Sequence, residues 1–294
     1  MTTKSWVSPI YHSTDAEFRA WAAEISAALS DVGMIKTSDT GQIDFSTAIR
    51  PVVSAAAGYE IWRFNDSLQS TAPIFIKIEY GSNNTTTPKI WITVGTGSDG
   101  AGVITGATVA RAELFYYSGF SPGSYPSYVC AADGFLGVAI KIGASGTYGT
   151  GLGFFCIARS HDYSGSPTSR GFSVYNSSVL YNNPAKSNCV RSAAPETAYA
   201  QSTAHSIVPG QPTSSLDDDG NPQIYPHFGI CPEVYVLPVL GTVVVNDVPS
   251  GTVFNASIVG TVARTFISLG CFNPFNIVVG PGVIKTYGFA MLWE

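Results

Sequence analysis

Gly95-Thr96-Gly97-Ser98-Asp99-Gly100 follows the apolar run "KIWITV" and matches the pattern G-x-G-x-x-G. In a nucleotide site such a loop lets backbone approach a pyrophosphate. A helix N-terminus then directs its N–H groups at the anion, and an acidic residue roughly 20 positions on takes the ribose. Here the residues after Gly100 read "AGVITGATVARAELFYY". Further glycines and β-branched residues are poor material for a helix. Ile90, Ile92 and Val94 alternate with Trp91 and Thr93, and "RAELFYY" reads as a returning strand with Glu113 inside it. The loop is therefore expected to be turn chemistry between antiparallel strands. The glycines of "SGTYGTGLGFF" (145–155) take the same reading.

Other reactive residue types are scattered. The histidines are His12, His161, His205 and His227, with no i, i+4 metal pair among them. Ser160-His161-Asp162 holds the residue types of a catalytic triad, but neighbours on a strand point to opposite faces and cannot form the relay by themselves. Asp217, Asp218 and Asp219, before Gly220 and Asn221, supply oxygen ligands of the kind calcium takes. They lack the spacing and closing Glu of an EF-hand, so a solvated turn is expected. Glu60, Glu79, Glu113 and Glu233 sit in or beside strand patterns, and sequence gives no separations from which to pick an acid pair. Cys130, Cys156, Cys189, Cys231 and Cys271 are far apart and form no C-x-x-C. Free buried thiols in a reducing compartment are expected, not zinc ligands. No catalytic, metal or cofactor residue is assigned, and no cofactor is expected.

The chain has 294 residues, of which only 12% are charged, against about 25% in a typical domain. Its surface must be built from Ser, Thr, Asn, Gly and Tyr, which cost less to desolvate than ions. That suits a subunit packed among neighbours, and equally a sugar-binding face. With 15 basic and 20 acidic residues and no Lys/Arg cluster, no groove for nucleic acid is expected. "MTTKSWVSPIYHST" holds no apolar core of signal-peptide length, and no run approaches about 18 apolar residues. Synthesis in the cytoplasm without membrane insertion is the expectation.

These residues need elements to position them. "STDAEFRAWAAEISAALSDVG" puts Phe18, Trp21, Ile25, Leu29 and Val32 on one face, which predicts a helix over 15–32. Thr14 with Glu17 forms a capping-box signature, and Gly33 fits the position after the helix. Later residues show no helical period. Short β-branched and aromatic runs recur instead, as at 59–65, 74–80, 89–94, 111–117, 137–143, 152–160, 171–176, 223–230, 241–247, 264–270 and 282–292. The fold class is mainly β: an antiparallel sandwich or barrel-like body with one N-terminal amphipathic helix and an extended arm. The chain divides into 1–33, a terminal segment and helix; 34–58, the arm; and 59–294, the body. Residues 183–222 either separate two lobes or form one surface excursion.

The strings "GMIKTSDTGQIDFSTAIRP", "AAGYEIWRFNDSLQSTAPIFIKIEYGS" and "PKIWITVGTGSDGAGVITG" resemble tailed-bacteriophage virion proteins, a group mostly described only as structural. The resemblance spans residues 10 to 110; the rest matches in style alone. It carries no catalytic motif, and it implies a particle component without assigning it to tail, baseplate, collar or capsid.

The expectation is a non-enzymatic structural subunit of a virion, tail- or baseplate-associated, that assembles as a homo-oligomer with other virion proteins. Phe18, Trp21, Ile25 and Leu29 are candidates for docking to a neighbour, with packing on the chain's own sheet as the alternative. A receptor- or carbohydrate-binding module is the second expectation. It would use Tyr116, Tyr117, Tyr125 and Tyr128 of "YYSGFSPGSYPSY" to stack on host surface glycan. A glycan-degrading enzyme ranks third, for want of an acid pair.

Overall fold

The computed structural model describes residues 2–9, 13–82, 88–107, 109–114, 123–143, 150–162, 166–179, 186–191, 203–204, 225–226, 240–244, 248–256, 263–271, 277–278, 284–285 and 287–293. The chain opens with strand β1 (Thr2–Pro9) and helix α1 (Asp15–Asp31). Both signals read for the helix ends operate. The Thr14 hydroxyl accepts the Glu17 N–H at 3.2 Å, while the Glu17 carboxylate accepts the Thr14 N–H at 3.0 Å. At the other end Gly33 has φ 88°; its N–H reaches the Ser30 carbonyl, and the Met34 N–H reaches that of Leu29. This Schellman closure satisfies carbonyls that would otherwise be orphaned.

The first sheet comes from β2 (Ile35–Lys36), β3 (Ala55–Arg63), β4 (Phe75–Ser82), β5 (Pro88–Gly95) and β8 (Val109–Glu113), ordered β2-β3-β4-β5-β8 and antiparallel. A ribbon of β6 (Gly97–Ser98) and β7 (Ile104–Thr105) intervenes between β5 and β8. Alternation places Ile76, Ile78 and Tyr80 inward and the less buried Phe75, Lys77 and Glu79 outward.

The second sheet contains β9 (Ser124–Ala132), β10 (Phe135–Gly143), β11 (Thr150–His161), β12 (Pro167–Val179), β13 (Lys186–Arg191) and β14 (Thr203–Ala204). They run as a meander, and β1 returns from the N-terminus to pair with β9 at its edge. The third sheet contains β15 (Tyr225–Pro226), β16 (Leu240–Val244), β17 (Val253–Ala256), β18 (Arg264–Cys271) and β21 (Tyr287–Leu292), ordered β15-β16-β21-β18-β17. A short pair, β19 (Ile277–Val278) and β20 (Ile284–Lys285), lies between β18 and β21 in sequence.

The second sheet is covered on both faces. Val129, Leu136, Val138, Ile140, Phe155, Ile157 and Val174 join a core with α1 and the first sheet. Tyr128, Cys130, Ala139, Phe154, Cys156 and Ala158, on the opposite face, join a second core with Phe254, Phe266, Leu269 and Met291 of the third sheet. This explains why β10 and β11 read as nearly continuous apolar runs, since neither face meets water. Gly137 leaves room for this packing: a Cβ there would lie 2.6 Å from Met291 Sδ. The body is thus sandwich-like with antiparallel sheets.

The 34–58 segment, expected as an arm, lies against the chain's own first sheet. The Thr37 N–H bonds the Ile61 carbonyl, the Ile43 N–H bonds that of Tyr59, and Gln42 Oε1 accepts the Ile61 N–H at 2.9 Å. The segment therefore closes the β3 side of that sheet, an edge that would otherwise offer unpaired backbone. Of the 183–222 stretch, β13 and β14 are described; the remainder, including Asp217–Asp219, lies outside the described residues.

Candidate functional site

The glycine loop is where sequence points most directly to chemistry, and its geometry is that of a turn. Gly97 pairs with Thr105 and Ser98 with Ile104, and the next element is strand β8, not a helix. The amides a phosphate would need are occupied. Asp99 Oδ1 accepts the Ala101 N–H at 2.8 Å and the Val103 N–H at 2.9 Å. Those backbone bonds, Val103 first, hold the Asp99 carboxyl below its ordinary range. The loop's carbonyls are also engaged: the Thr40 N–H reaches Gly100 O at 2.9 Å and Lys77 Nζ reaches Gly102 O at 2.9 Å. Asp39 accepts the Ser98 hydroxyl, and the Tyr59 hydroxyl donates to the Thr40 carbonyl at 2.7 Å. The loop's polar groups bind "TSDT" of the preceding segment, and Asp99 of the loop with Asp39 of that segment would repel an anion.

The Ser160-His161-Asp162 run is dispersed as expected. Ser160 Oγ pairs with Thr168 Oγ1 at 2.8 Å, and Asp162 Oδ1 accepts the Ser166 N–H at the turn beyond the strand. His161 is buried with its Nδ1 unpartnered. Burial, aided by the charge of Arg264, pushes its pKa down to about 4. Cys130 and Cys156 are free and buried, and burial raises both thiols, which leaves them unreactive. No group of three or more metal-ligating side chains occurs among the described residues.

The helix residues proposed for docking face inward. Phe18, Trp21, Ile25 and Leu29 are at most 2% exposed, and Trp21 meets Tyr80 edge-on at 6.4 Å. Burying each contributes about 1.5–3 kcal/mol. This face is committed to the chain's own core, so the own-sheet alternative describes it and docking through these side chains does not. Among the tyrosines, Tyr116 and Tyr117 lie outside the described residues. Tyr125 is partly buried against the first core. Tyr128 is 6% exposed, with its ring 5.8 Å from that of Trp293. Ser124 to Tyr128 belong to β9 and not to a loop, so neither Tyr125 nor Tyr128 offers an open ring for a sugar to stack on.

Three arrangements escape a residue-by-residue reading. Glu60, fully buried on β3, accepts from Ser26 Oγ at 2.8 Å, Lys36 Nζ at 2.7 Å, Tyr80 OH at 2.7 Å and Trp62 Nε1 at 3.3 Å. On the outward face of the first sheet, Glu79 and Glu113 flank Trp91 in register. Arg111 stacks on that indole at 4.1 Å and bonds Glu79 at 2.8 Å, while Lys89 pairs with Glu113. Both carboxylates are thus held by cations of the same chain. Finally, β1 forms the edge of the second sheet. Its signal is present in "TTKSWVS", a β-branched and aromatic run, but it lacks apolar alternation.

Comparison of the chain with family models, with curated proteins and with solved structures gave no match.

Proposed function

We propose that the chain is a non-enzymatic structural subunit of a tailed-phage particle, associated with the tail or baseplate, that assembles with copies of itself and with other virion proteins. One observation carries this reading: among the described residues, the buried ionic groups are committed internally while association surfaces remain open. Glu60, Asp66 and Arg159 are saturated by partners from this chain. Beside them stand an eight-residue strand edge, β1, and an apolar projection of Ile49, Val52 and Val53, exposed by 73%, 61% and 63%. Arg50 anchors that projection through its N–H to Asp15 at 2.9 Å and its guanidinium to the Ser13 carbonyl. Exposed edges and apolar clusters are the features that association covers. Mass spectrometry of gradient-purified particles, with antibody labelling under the microscope, tests the proposal. A stoichiometric band located on the tail is expected. Infectious particles free of the chain would overturn the reading.

A second reading, attachment to host glycan, draws on the outward face, where Trp91 and Tyr59 carry stacked cations, Lys77 lying 4.2 Å from the Tyr59 ring. Trp91 is 5% exposed and becomes an open ring only when Arg111 swings off the indole; aromatics with flanking carboxylates and cations then suit sugar hydroxyls. A glycan array probed with the protein and with Trp91→Ala distinguishes the two: array binding lost in the variant favours attachment, and no binding favours scaffolding.

A further inference from the structure

Among the described residues, strand β1 is paired on one side only. It matches β9 without interruption from Thr2 opposite Ala131 to Pro9 opposite Ser124. Among the described residues no other sheet edge is as long and regular. In the first sheet, β2 is two residues long beside the bound 34–58 segment, and β8 is five residues with a register shift against β5. In the others, β14 and β15 have two residues and β17 has four. Proteins protect exposed edges with bulges, prolines, short strands or charges. On β1 the proline lies at the last position, and the sole charge, Lys4, is drawn toward the helix by Asp31 at 2.7 Å. Thr2 to Ser5 and Val7 are all exposed.

We infer that two copies of this chain join edge to edge along β1, with the two-fold axis on Ser5, fusing two seven-stranded sheets into one. The inference rests on the reading of the chain as an assembly subunit and names the surface it uses. Geometry selects the register. A two-fold perpendicular to a sheet reverses strand direction and preserves its faces, so it must set one residue opposite its own copy. On Lys4 it would set two like charges opposite each other. On Trp6 it would bring Pro9, which lacks an N–H, into the ladder opposite Thr3. On Ser5 it pairs residues 2 to 8 and sets each Lys4, still held by Asp31, opposite the uncharged Trp6 of the other copy, so that like charges are kept apart and Pro9 stays outside the ladder. The self-complementarity of this register favours a second copy over a foreign strand.

The experiment is disulfide trapping in the full-length protein. On the axis, the two Ser5 Cα atoms stand about 4.5–5.5 Å apart, within the span a disulfide bridges. Two Val7 residues would be more than about 13 Å apart. Oxidised Ser5→Cys is expected to run mostly as a covalent dimer. Mass spectrometry should then identify a peptide pair cross-linked through the substituted position of both copies. Wild type and Val7→Cys should show no new link, and circular dichroism of all three should coincide. A folded Ser5→Cys protein that stays unlinked at micromolar concentration overturns the inference, as does Val7→Cys linking equally well. Particle composition separates this result from the broader reading. An unlinked variant still incorporated into particles rejects the β1 interface alone. A linked dimer absent from particles rejects the virion role and leaves the interface.

Discussion

Asp66 receives the guanidinium of Arg159 as a fork, Nε to Oδ2 at 2.5 Å and Nη2 to Oδ1 at 2.9 Å. The Arg159 and Asp66 side chains are 1% and 2% exposed, and Arg159 Nη1 also donates to the Ala72 carbonyl at 2.7 Å. The pair ties β11 of the second sheet to the turn that follows β3. The net stabilisation from such a pair is small, because desolvating two ions offsets their attraction, but removing one partner strands the other. Asp66→Ala should therefore lower unfolding free energy by about 3–5 kcal/mol. Asp66→Ala with Arg159→Met should recover much of the loss. Urea denaturation of the single and double variants measures both; a double variant no better than the single would contradict the account.

Tyr80 and Glu60 give a spectroscopic prediction. Burial, then the adjacent Glu60 charge, raises the Tyr80 phenol well above its ordinary range. A raised pKa means the native state keeps this proton longer than the unfolded chain does. The associated stability is complete below about pH 10 and declines as pH rises further. Absorbance titration at alkaline pH should show a delayed tyrosine step, to which Tyr128, also raised by burial, contributes beside Tyr80. Tyr80→Phe should shrink that step by one tyrosine and cost about 1.5–3 kcal/mol, the worth of a hydrogen bond to a charged group.

Two glycines of the turn should respond differently to alanine. Gly100 has φ 80° with open space where a Cβ would go, so Gly100→Ala bears only left-handed backbone strain, about 1–2 kcal/mol. Gly102 has φ 97°, and a Cβ there would lie 2.1 Å from the Tyr59 hydroxyl. Gly102→Ala must also displace Tyr59 from the Thr40 carbonyl. It should cost more than Gly100→Ala and speed amide exchange at Thr40, whose N–H is held by the same loop. Equal costs would mean that Tyr59 does not hold the segment down.

Much of this is legible where one periodicity has one explanation. The helix is observed at Asp15–Asp31 because its cap, apolar face and terminal glycine agree. Strands β4, β5 and β10 lie within two residues of their expected limits, since each carries a β-rich run. Strand β1 escapes the sequence because an exposed edge has little apolar patterning, and β9 because "SYPSY" carries turn-forming residues. The partners of the 34–58 segment are illegible for another reason. Its contacts, some backbone to backbone as with Ile43 and Tyr59 and some side chain to backbone as with Tyr59 and Thr40, join residues distant in sequence, and no local pattern encodes them. Arg159 offers a signal in hindsight: an arginine inside the apolar run "LGFFCIARS" requires a buried acceptor, though not which one.

His161 supplies a pH test of the packing between the second and third sheets. Its imidazole is pushed down to about 4, chiefly by burial and then by Arg264, against an ordinary value near 6.5. Between those values the unfolded chain binds a proton that the native state refuses. Stability should therefore be complete above about pH 6.5 and fall as pH drops toward 4, by at most about 1.4 kcal/mol per pH unit. Carboxylates titrate mainly below about pH 5, so the window from 5 to 6.5 belongs to histidine. His161→Gln carries no proton in that window. Its denaturation midpoint should stay flat from pH 7 to 5, relative to wild type, once the contribution of His12, His205 and His227 common to both is subtracted. Identical slopes in the two proteins would show that His161 is accessible to water, and with it the end of β11 beside Arg264.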